Sequence, residues 1–290
     1  MIRSILIIAL LIPYASAEYT QAVAAFQAGR YQEVLTHLAV FSPNPGELPA
    51  FYNLKALALM ELHRTSEALA ASEQARRLDP ANVNYISNAG MIYLTQKDFH
   101  GAEDLFRSST QRFPNASRLY EGWGEALLAV RRFKEAEVQF RKAADLDPES
   151  PTAQLALAKL YYTTDRGKLD APAARAVQLA PDSYLACYFY GEHLIEDRKD
   201  IASGRRYLEK AITLAPNFTD GLLAWAELLT QEHDWPAAIA ACEKAMAADH
   251  ADARVYYRLF SLYRKQGNAE KAQWALEKYK QLEPKRAVAR

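Results

Sequence analysis

The feature that most constrains the fold of this chain is a sequence repeat of 34 residues. Segments that begin at Arg64, Asp98 and Arg132 align without gaps, and segments that begin at Asp234 and Asn268 continue the pattern. The same interval separates three sets of positions: Ala68, Ala102 and Ala136, then Ala238 and Ala272, and Pro80, Pro114 and Pro148. A fixed period of this length indicates stacked structural units, each of which needs its neighbours to bury an apolar face.

Within one period, the residues predict two helices joined by a short turn. Two apolar stripes at helical spacing follow Ser117: Tyr120, Trp123, Gly124 and Leu127, then Ala136, Phe140, Ala143 and Ala144. Small residues are expected where the two helices approach most closely, at Gly90, Gly124, Ala102 and Ala136. The closing position of the period is a proline in every repeat but one, where it is His250, and this proline, including Pro284, predicts the end of the second helix.

These motifs resemble the tetratricopeptide repeat family, whose pattern is W-x2-L-G-x2-Y, then A-x3-F, then P. Ala136, Phe140 and Pro148 match its second half, while the leading Trp is replaced throughout by Tyr, Ile or Leu. The resemblance implies an all-α fold, a right-handed α-solenoid of fifteen or sixteen antiparallel helices. It also implies that the first helix of each repeat lines a concave groove that binds another protein.

The repeat pattern divides the chain into four parts. Residues 1–17 are expected to be a signal peptide, 18–48 a degenerate N-terminal hairpin, 49–285 seven full repeats and 286–290 a short basic tail. The full repeats are expected to begin near the following residues: Pro49, Val83, Ser117, Pro151, Tyr184, Thr219 and Ala253.

The N-terminal residues predict export from the cytoplasm. Arg3 provides a positive start, Ile5–Ile12 is an uninterrupted apolar run, and Ala15-Ser16-Ala17 has the small-x-small pattern of a cleavage site. A membrane-spanning helix needs about 20 apolar residues, more than this run supplies. We therefore expect a mature protein that begins at Glu18, is periplasmic or secreted, and has no stable membrane insertion.

The fourth full repeat departs from the pattern. Gly167 and Pro172 fall where the turn and the second helix should be, so we expect this helix to begin near Asp170, which would be its N-cap. It should be about one turn shorter than its equivalents, and this repeat is a candidate hinge. The following repeat contains an extra residue within the segment from Glu196 to Gly204.

Composition and motifs argue against several classes of protein. Lys plus Arg and Asp plus Glu both total 35, so no overall positive field would attract nucleic acid. Cys187 and Cys242 are the only cysteines and are expected to be buried, unbridged side chains. No metalloprotease, hydrolase, P-loop or zinc-finger motif occurs, and the triplet Glu232-His233-Asp234 lies at an expected turn. We therefore expect no enzyme activity, no cofactor and no metal.

The family's groove can be traced through the first helices of this chain. Its expected lining is polar, with carboxylates and tyrosines concentrated in the third, fifth and sixth full repeats. The candidate partner-binding residues are Asn53, Asn84, Asn88, Glu121, Glu125, Tyr162, Tyr188, Glu192, Glu196, Asp220, Glu227, Arg254 and Tyr257.

Such a lining suggests a partner segment that is extended and carries basic and apolar side chains. A binding site for chaperone tails would need basic residues and Asn in adjacent repeats, and only Asn88 fits that pattern. The leading hypothesis is a non-enzymatic scaffold or adaptor outside the cytoplasm. The alternatives are an accessory subunit of an envelope-assembly or polysaccharide-export system, by family analogy alone, and an enzyme with an unrecognised site.

Overall fold

The computed structural model describes residues 17–196 and 200–288. The chain forms two compact units, Met1–Leu160 and Tyr161–Arg290. The expected signal peptide lies outside the described residues except for Ala17, with which the first helix begins.

In the described part of the chain, the N-terminal unit is built from nine helices, of which the first eight each pack on their neighbours in chain order. These are α1 (Ala17–Gln27), α2 (Tyr31–Val40), α3 (Leu48–Glu61), α4 (Thr65–Leu78), α5 (Val83–Thr95), α6 (Phe99–Arg112), α7 (Ser117–Ala129), α8 (Phe133–Leu146) and α9 (Pro151–Thr164), of which α9 extends into the second unit.

The C-terminal unit continues the same arrangement. It contains a 3-10 turn, Arg166–Lys168, followed by α10 (Asp170–Leu179), α11 (Tyr184–Glu196), α12 (Ile201–Leu214), α13 (Thr219–Gln231), α14 (Trp235–Ala248), α15 (Ala253–Lys265) and α16 (Ala269–Val288). Sixteen α-helices and no strand occur in residues 17–196 and 200–288. The predicted all-α solenoid of antiparallel helix pairs is confirmed.

Specific side chains fix where the helices begin. Asp98, Asp200 and Asp234 each accept a hydrogen bond from the backbone N–H three residues later, at the start of α6, α12 and α14. This contact satisfies one of the backbone donors left open at a helix N-terminus. The repeated aspartate therefore sets the start of the second helix in three of the repeats.

The turns between paired helices use one residue in the left-handed conformation. It recurs at intervals of 34 residues or multiples of 34, at Gly29, His63, Lys97, Arg131, His233 and Gly267. Only two of these residues are glycines, so four side chains occupy a conformation that costs a non-glycine residue about 1–2 kcal/mol.

The core depends on phenylalanine rings that fit against glycines. Phe106 and Phe140, on α6 and α8, are fully buried. A Cβ atom added to Gly90 or Gly122 would lie 2.1 Å or 2.2 Å from Cζ of Phe106. The small residues thus stand where helices approach closely, as expected at Gly90, because no other residue leaves room for the ring.

The fourth full repeat is irregular in the way predicted, with one correction. Its second helix, α10, has 10 residues, whereas α8 and α12 have 14. The N-cap of α10 is Leu169 and not Asp170, because the 3-10 turn extends the helical path by one residue and makes Asp170 the first residue of the helix. Asp170 Oδ1 instead lies 3.1 Å from Nε2 of the buried His193. In the next repeat, residues 197–199 lie outside the described part.

The last helix differs from the prediction. The second helices α4, α6, α8, α10 and α12 each end two residues before a proline, but α16 continues through Pro284 to Val288 and has 20 residues. Pro284 therefore does not end a helix, and the predicted stop at this position is wrong.

Candidate functional site

The predicted binding residues of the N-terminal unit are already paired between neighbouring first helices. Arg118 Nη1 on α7 donates to Asn84 Oδ1 on α5 at 2.5 Å, and Lys159 Nζ on α9 donates to Glu125 Oε2 on α7 at 2.9 Å. Glu121 accepts hydrogen bonds from the hydroxyls of Ser150 and Thr152 at 2.8 Å and 2.9 Å. In this unit, side chains about one period apart thus satisfy each other.

Asn53 and Asn88 require a correction. Asn88 Nδ2 donates to Asn53 Oδ1 at 2.8 Å, and both side chains are buried, with 5% and 1% of their surface exposed. Helical spacing placed them toward one face, but the stacking of α5 on α3 covers that face at this point. The two amides join neighbouring repeats and are not available to a partner.

The C-terminal unit shows similar pairs. Arg254 Nη2 lies 2.7 Å from Asp220 Oδ1, and Arg258 pairs with Glu227. Arg166 pairs with Glu196, and its guanidinium lies 3.9 Å from the centre of the Tyr162 ring. Three of the predicted acidic residues therefore have an arginine from a neighbouring element as their counterion.

A tyrosine–carboxylate cluster is the most buried polar group of this unit's predicted site. The hydroxyls of Tyr162 and Tyr188 lie 2.7 Å apart, and the Tyr162 hydroxyl also donates to Glu192 Oε2 at 2.7 Å. Burial raises the pKa of Glu192, and burial raises the pKa of Tyr162 to about 12. Glu192 thus carries its charge in surroundings that disfavour it.

The cluster borders a cavity of about 820 Å³ on the first-helix side of the C-terminal unit, which we call the tyrosine cavity. First helices α11, α13 and α15 and the far part of α16 supply its walls. The lining residues are Tyr188, Glu192, Glu196, Asp220, Leu223, Ala224, Glu227, Ala253, Arg254, Tyr257, Arg258, Ser261, Tyr279 and Glu283. A cavity of this size is within the range of ligand-binding sites in proteins.

Seven of the thirteen predicted binding residues line this cavity: Tyr188, Glu192, Glu196, Asp220, Glu227, Arg254 and Tyr257. The sequence reasoning missed Arg258, Tyr279 and Glu283. Arg258 lies 31 positions after its partner Glu227, a spacing close enough to the period to have suggested contact. In the sequence, Tyr279 stood out only as an aromatic residue of the last helix that could serve self-association, and no signal pointed to Glu283.

Other candidate chemical groups have structural roles. The predicted turn residue His233 has a positive φ of 63° and packs edge-on against Trp235, while Asp234 caps α14. Cys187 and Cys242 are buried and unbridged, and burial raises the pKa of both thiols. Within the described ranges, no three His, Cys, Asp or Glu residues are grouped to hold a metal ion. No helix in those ranges combines the length and apolar character needed to cross a bilayer.

Comparison with known proteins identifies the type of repeat. The family model described as tetratricopeptide repeat matches residues 53–117 and 122–186. The interferon-induced protein with tetratricopeptide repeats 2 of Cricetulus griseus is 23% identical over 223 residues, which is 72% of this chain and 47% of that protein. Anaphase-promoting complex subunit 7 of Arabidopsis thaliana is 26% identical over 192 residues, covering 66% of this chain and 34% of that protein. The chain thus spans half or less of these relatives.

Solved structures resemble this chain over nearly its whole length. The Cut9 and Hcn1 complex of the anaphase-promoting complex has a TM-score of 0.73 at 16% identity, covering 92% of this chain and 53% of that one. Yeast Tom70 has a TM-score of 0.58 at 18% identity, covering 94% and 62%. Because the sequence identity is so low, these similarities establish the fold alone.

Proposed function

Since the chain is a member of the tetratricopeptide repeat family, we propose that it is a non-catalytic scaffold that binds a segment of another protein outside the cytoplasm. The first-helix face is the binding surface, and the tyrosine cavity is its principal contact site. The supporting observation is the open cavity on this face of the C-terminal unit, which is lined by carboxylates and by the exposed ring of Tyr257.

The lining of the cavity supports a protein segment as the occupant. Tyr257 has 54% of its surface exposed there, and aromatic side chains commonly supply the contact area that dominates protein interfaces. Five carboxylates and two arginines line the cavity, a balance that repels the phosphates of nucleic acid. The partner segment is therefore extended, with basic and apolar side chains.

Export is the second part of the proposal. It is supported by Arg3, the apolar run Ile5–Ile12 and the Ala15-Ser16-Ala17 pattern. N-terminal sequencing of the protein purified from its native host tests this part. A chain that begins at Glu18 supports export, and a chain that retains Met1 refutes it.

Affinity capture tests the binding role. The chain, immobilised and exposed to extracts of its own host, should retain a partner that mass spectrometry identifies. Tyr257→Ala should reduce capture because it removes an exposed ring from the cavity. Val138→Ala is the matched control, since Val138 is 61% exposed and lies on α8, which is a second helix and not part of the first-helix face. Equal capture by the wild-type chain and Tyr257→Ala would refute the placement of the site.

A further inference from the structure

Two carboxylates of the tyrosine cavity differ from the other three. Asp220, Glu227 and Glu196 each pair with an arginine. Glu192 and Glu283 instead accept hydrogen bonds from tyrosine hydroxyls, Glu192 from Tyr162 at 2.7 Å and Glu283 from Tyr279 at 2.5 Å. Among the described residues, neither has a cation within ion-pair distance. The charges of Arg166 and Arg258 favour the ionised form of Glu192, but burial outweighs them. The cavity therefore contains negative charge that this chain compensates only in part.

An aromatic wall accompanies this charge. The rings of Tyr257 and Tyr279 have their centres 5.3 Å apart, and Tyr188 is buried at the inner side of the cavity. Tyr257 presents its ring to solvent beside these carboxylates. A tyrosine face attracts a cation through its quadrupole, and a planar guanidinium can stack on the ring while it binds a carboxylate.

Two other places in this chain show which side chain binds between an aromatic ring and a glutamate. Arg166 lies over the ring of Tyr162 and pairs with Glu196. A second arginine, Arg205, lies 5.0 Å from the centre of the Trp225 ring and pairs with Glu232. In both places an arginine occupies the space between an aromatic ring and a glutamate. The tyrosine cavity has the same two kinds of group in Tyr257 and Glu283. Among the residues that the structure describes, no arginine lies over the Tyr257 ring.

We propose that the tyrosine cavity binds an arginine side chain of the partner segment, with the guanidinium against Tyr257 and with Glu192 and Glu283 as its counterions. This inference rests on the proposed function and makes it more specific. Arginine fits better than lysine because its flat, weakly hydrated cation both stacks on a ring and forms paired hydrogen bonds with a carboxylate. The flanking residues of the segment are apolar, to match Leu223 and Ala224.

A peptide titration of the full chain tests the proposal. The probe is acetyl-Ala-Leu-Arg-Leu-Ala-amide, and its binding is followed by NMR of the tyrosine rings. The rings of Tyr257 and Tyr279 should shift in a saturable manner. A peptide with lysine at the centre should bind about tenfold more weakly, and one with citrulline, which has the shape of arginine without its charge, should not saturate. Equal binding of the citrulline or lysine peptide would overturn the proposal.

Matched variants locate the charge that is responsible. Glu192→Gln and Glu283→Gln should each weaken the arginine peptide about tenfold. Glu67→Gln should leave it unchanged, because Glu67 lies on α4, a second helix outside the first-helix face, and pairs with Arg64. Unchanged binding by both cavity variants would refute the assignment, and the exposed position of Glu283 makes loss of folding an insufficient explanation for its effect.

Two further results separate this inference from the proposed function. If Tyr257→Ala abolishes partner capture but arginine, lysine and citrulline peptides bind alike, the scaffold function stands and the arginine assignment fails. If the arginine peptide binds at Tyr257 but the captured partner is unaffected by Tyr257→Ala, the placement of the function fails. A dimer that Glu283→Gln dissociates would assign the cavity to the basic C-terminal residues of a second copy, and would overturn the partner segment as occupant.

Discussion

Gly124 on α7 faces the ring of Phe140 on α8 so closely that a Cβ atom on residue 124 would lie 2.4 Å from Cε1 of the phenylalanine. Real Cβ atoms essentially never come so close to another atom. Glycine is therefore required at this position for packing, although it is a poor helix former.

Gly124→Ala should consequently lower the free energy of unfolding by about 1–3 kcal/mol, the usual range for an overpacked core. The better helix propensity of alanine, worth up to about 1 kcal/mol, should offset only part of this loss. Urea denaturation measures the change. Gly46→Ala is the control, because no atom lies within 4 Å of a Cβ at Gly46. Equal stability of the two variants would contradict the packing role.

The turn residues with a left-handed backbone predict two substitutions with opposite effects on stability. Lys97 has a φ of 62° and is exposed, so Lys97→Gly should stabilise the chain by roughly 0.5–1 kcal/mol, after the greater freedom of glycine in the unfolded chain is subtracted. Gly267 has a φ of +77°, and no atom lies within 4 Å of a Cβ built on it. Gly267→Ala should therefore destabilise the chain through backbone strain alone. Thermal unfolding of both variants tests the pair. Stabilisation by Gly267→Ala would be inconsistent with the strain.

We expect Glu192→Gln to stabilise the fold while it weakens binding of the arginine peptide. Burial raises the pKa of this carboxyl above its unfolded value, so the folded chain holds the proton more tightly than the unfolded chain does. The stability that this provides is fully present below the unfolded pKa and is lost as the pH rises through the folded pKa. The charge of Glu196 also raises this pKa, and the charges of Arg166 and Arg258 lower it, but burial has the largest effect.

At pH 7, Glu192→Gln should therefore raise the unfolding midpoint, on the order of 1–3 °C, and the difference from wild type should shrink as the pH falls to about 4. Glu135→Gln provides a contrast, because the hydrogen bond from Arg132 lowers the pKa of Glu135. That variant should show no gain at pH 7. A loss of stability in Glu192→Gln at pH 7 would mean that the charge of Glu192 is favourable where it lies.

The short helix α10 predicts local opening. It has 10 residues instead of 14 and so buries less apolar surface than its equivalents. Its amides should exchange with deuterium faster than those of α12, because less free energy opposes the opening of this helix. Hydrogen-exchange mass spectrometry with peptides from both helices measures this. Equal protection of α10 and α12 would remove the proposed hinge.

The helical repeats could be predicted because a period is visible in any single sequence. Alanines and prolines at the interval of 34 locate the paired helices without reference to any distant contact. The same arithmetic places Glu125 beside Lys159 and Asp220 beside Arg254, since residues one period apart lie on adjacent first helices. Applying it to charges would have predicted that these acidic residues are paired.

The remaining part of the site depends on features that a local pattern does not contain. A proline usually signals the end of a helix, yet α16 continues through Pro284. Glu283 lines the cavity because α16 forms a wall of it beside first helices of three repeats, which a local pattern does not show. The burial of Asn53 depends on how closely α5 stacks on α3, which spacing alone does not determine. These positions are set by the meeting of several helices.

The ion pair between Lys159 and Glu125 also determines how freely the repeats can be rearranged. A solenoid of identical units could lose, gain or exchange a unit and still match at each junction. Here three junctions between first helices carry specific polar pairs: Lys159 with Glu125, Arg118 with Asn84, and Arg254 with Asp220. Recombination that separated one of these helices from its neighbour would leave Arg118, Lys159 or Arg254 without its present partner. The order of the repeats is therefore itself inherited information, and duplication within this chain would be selected against wherever such a junction is broken.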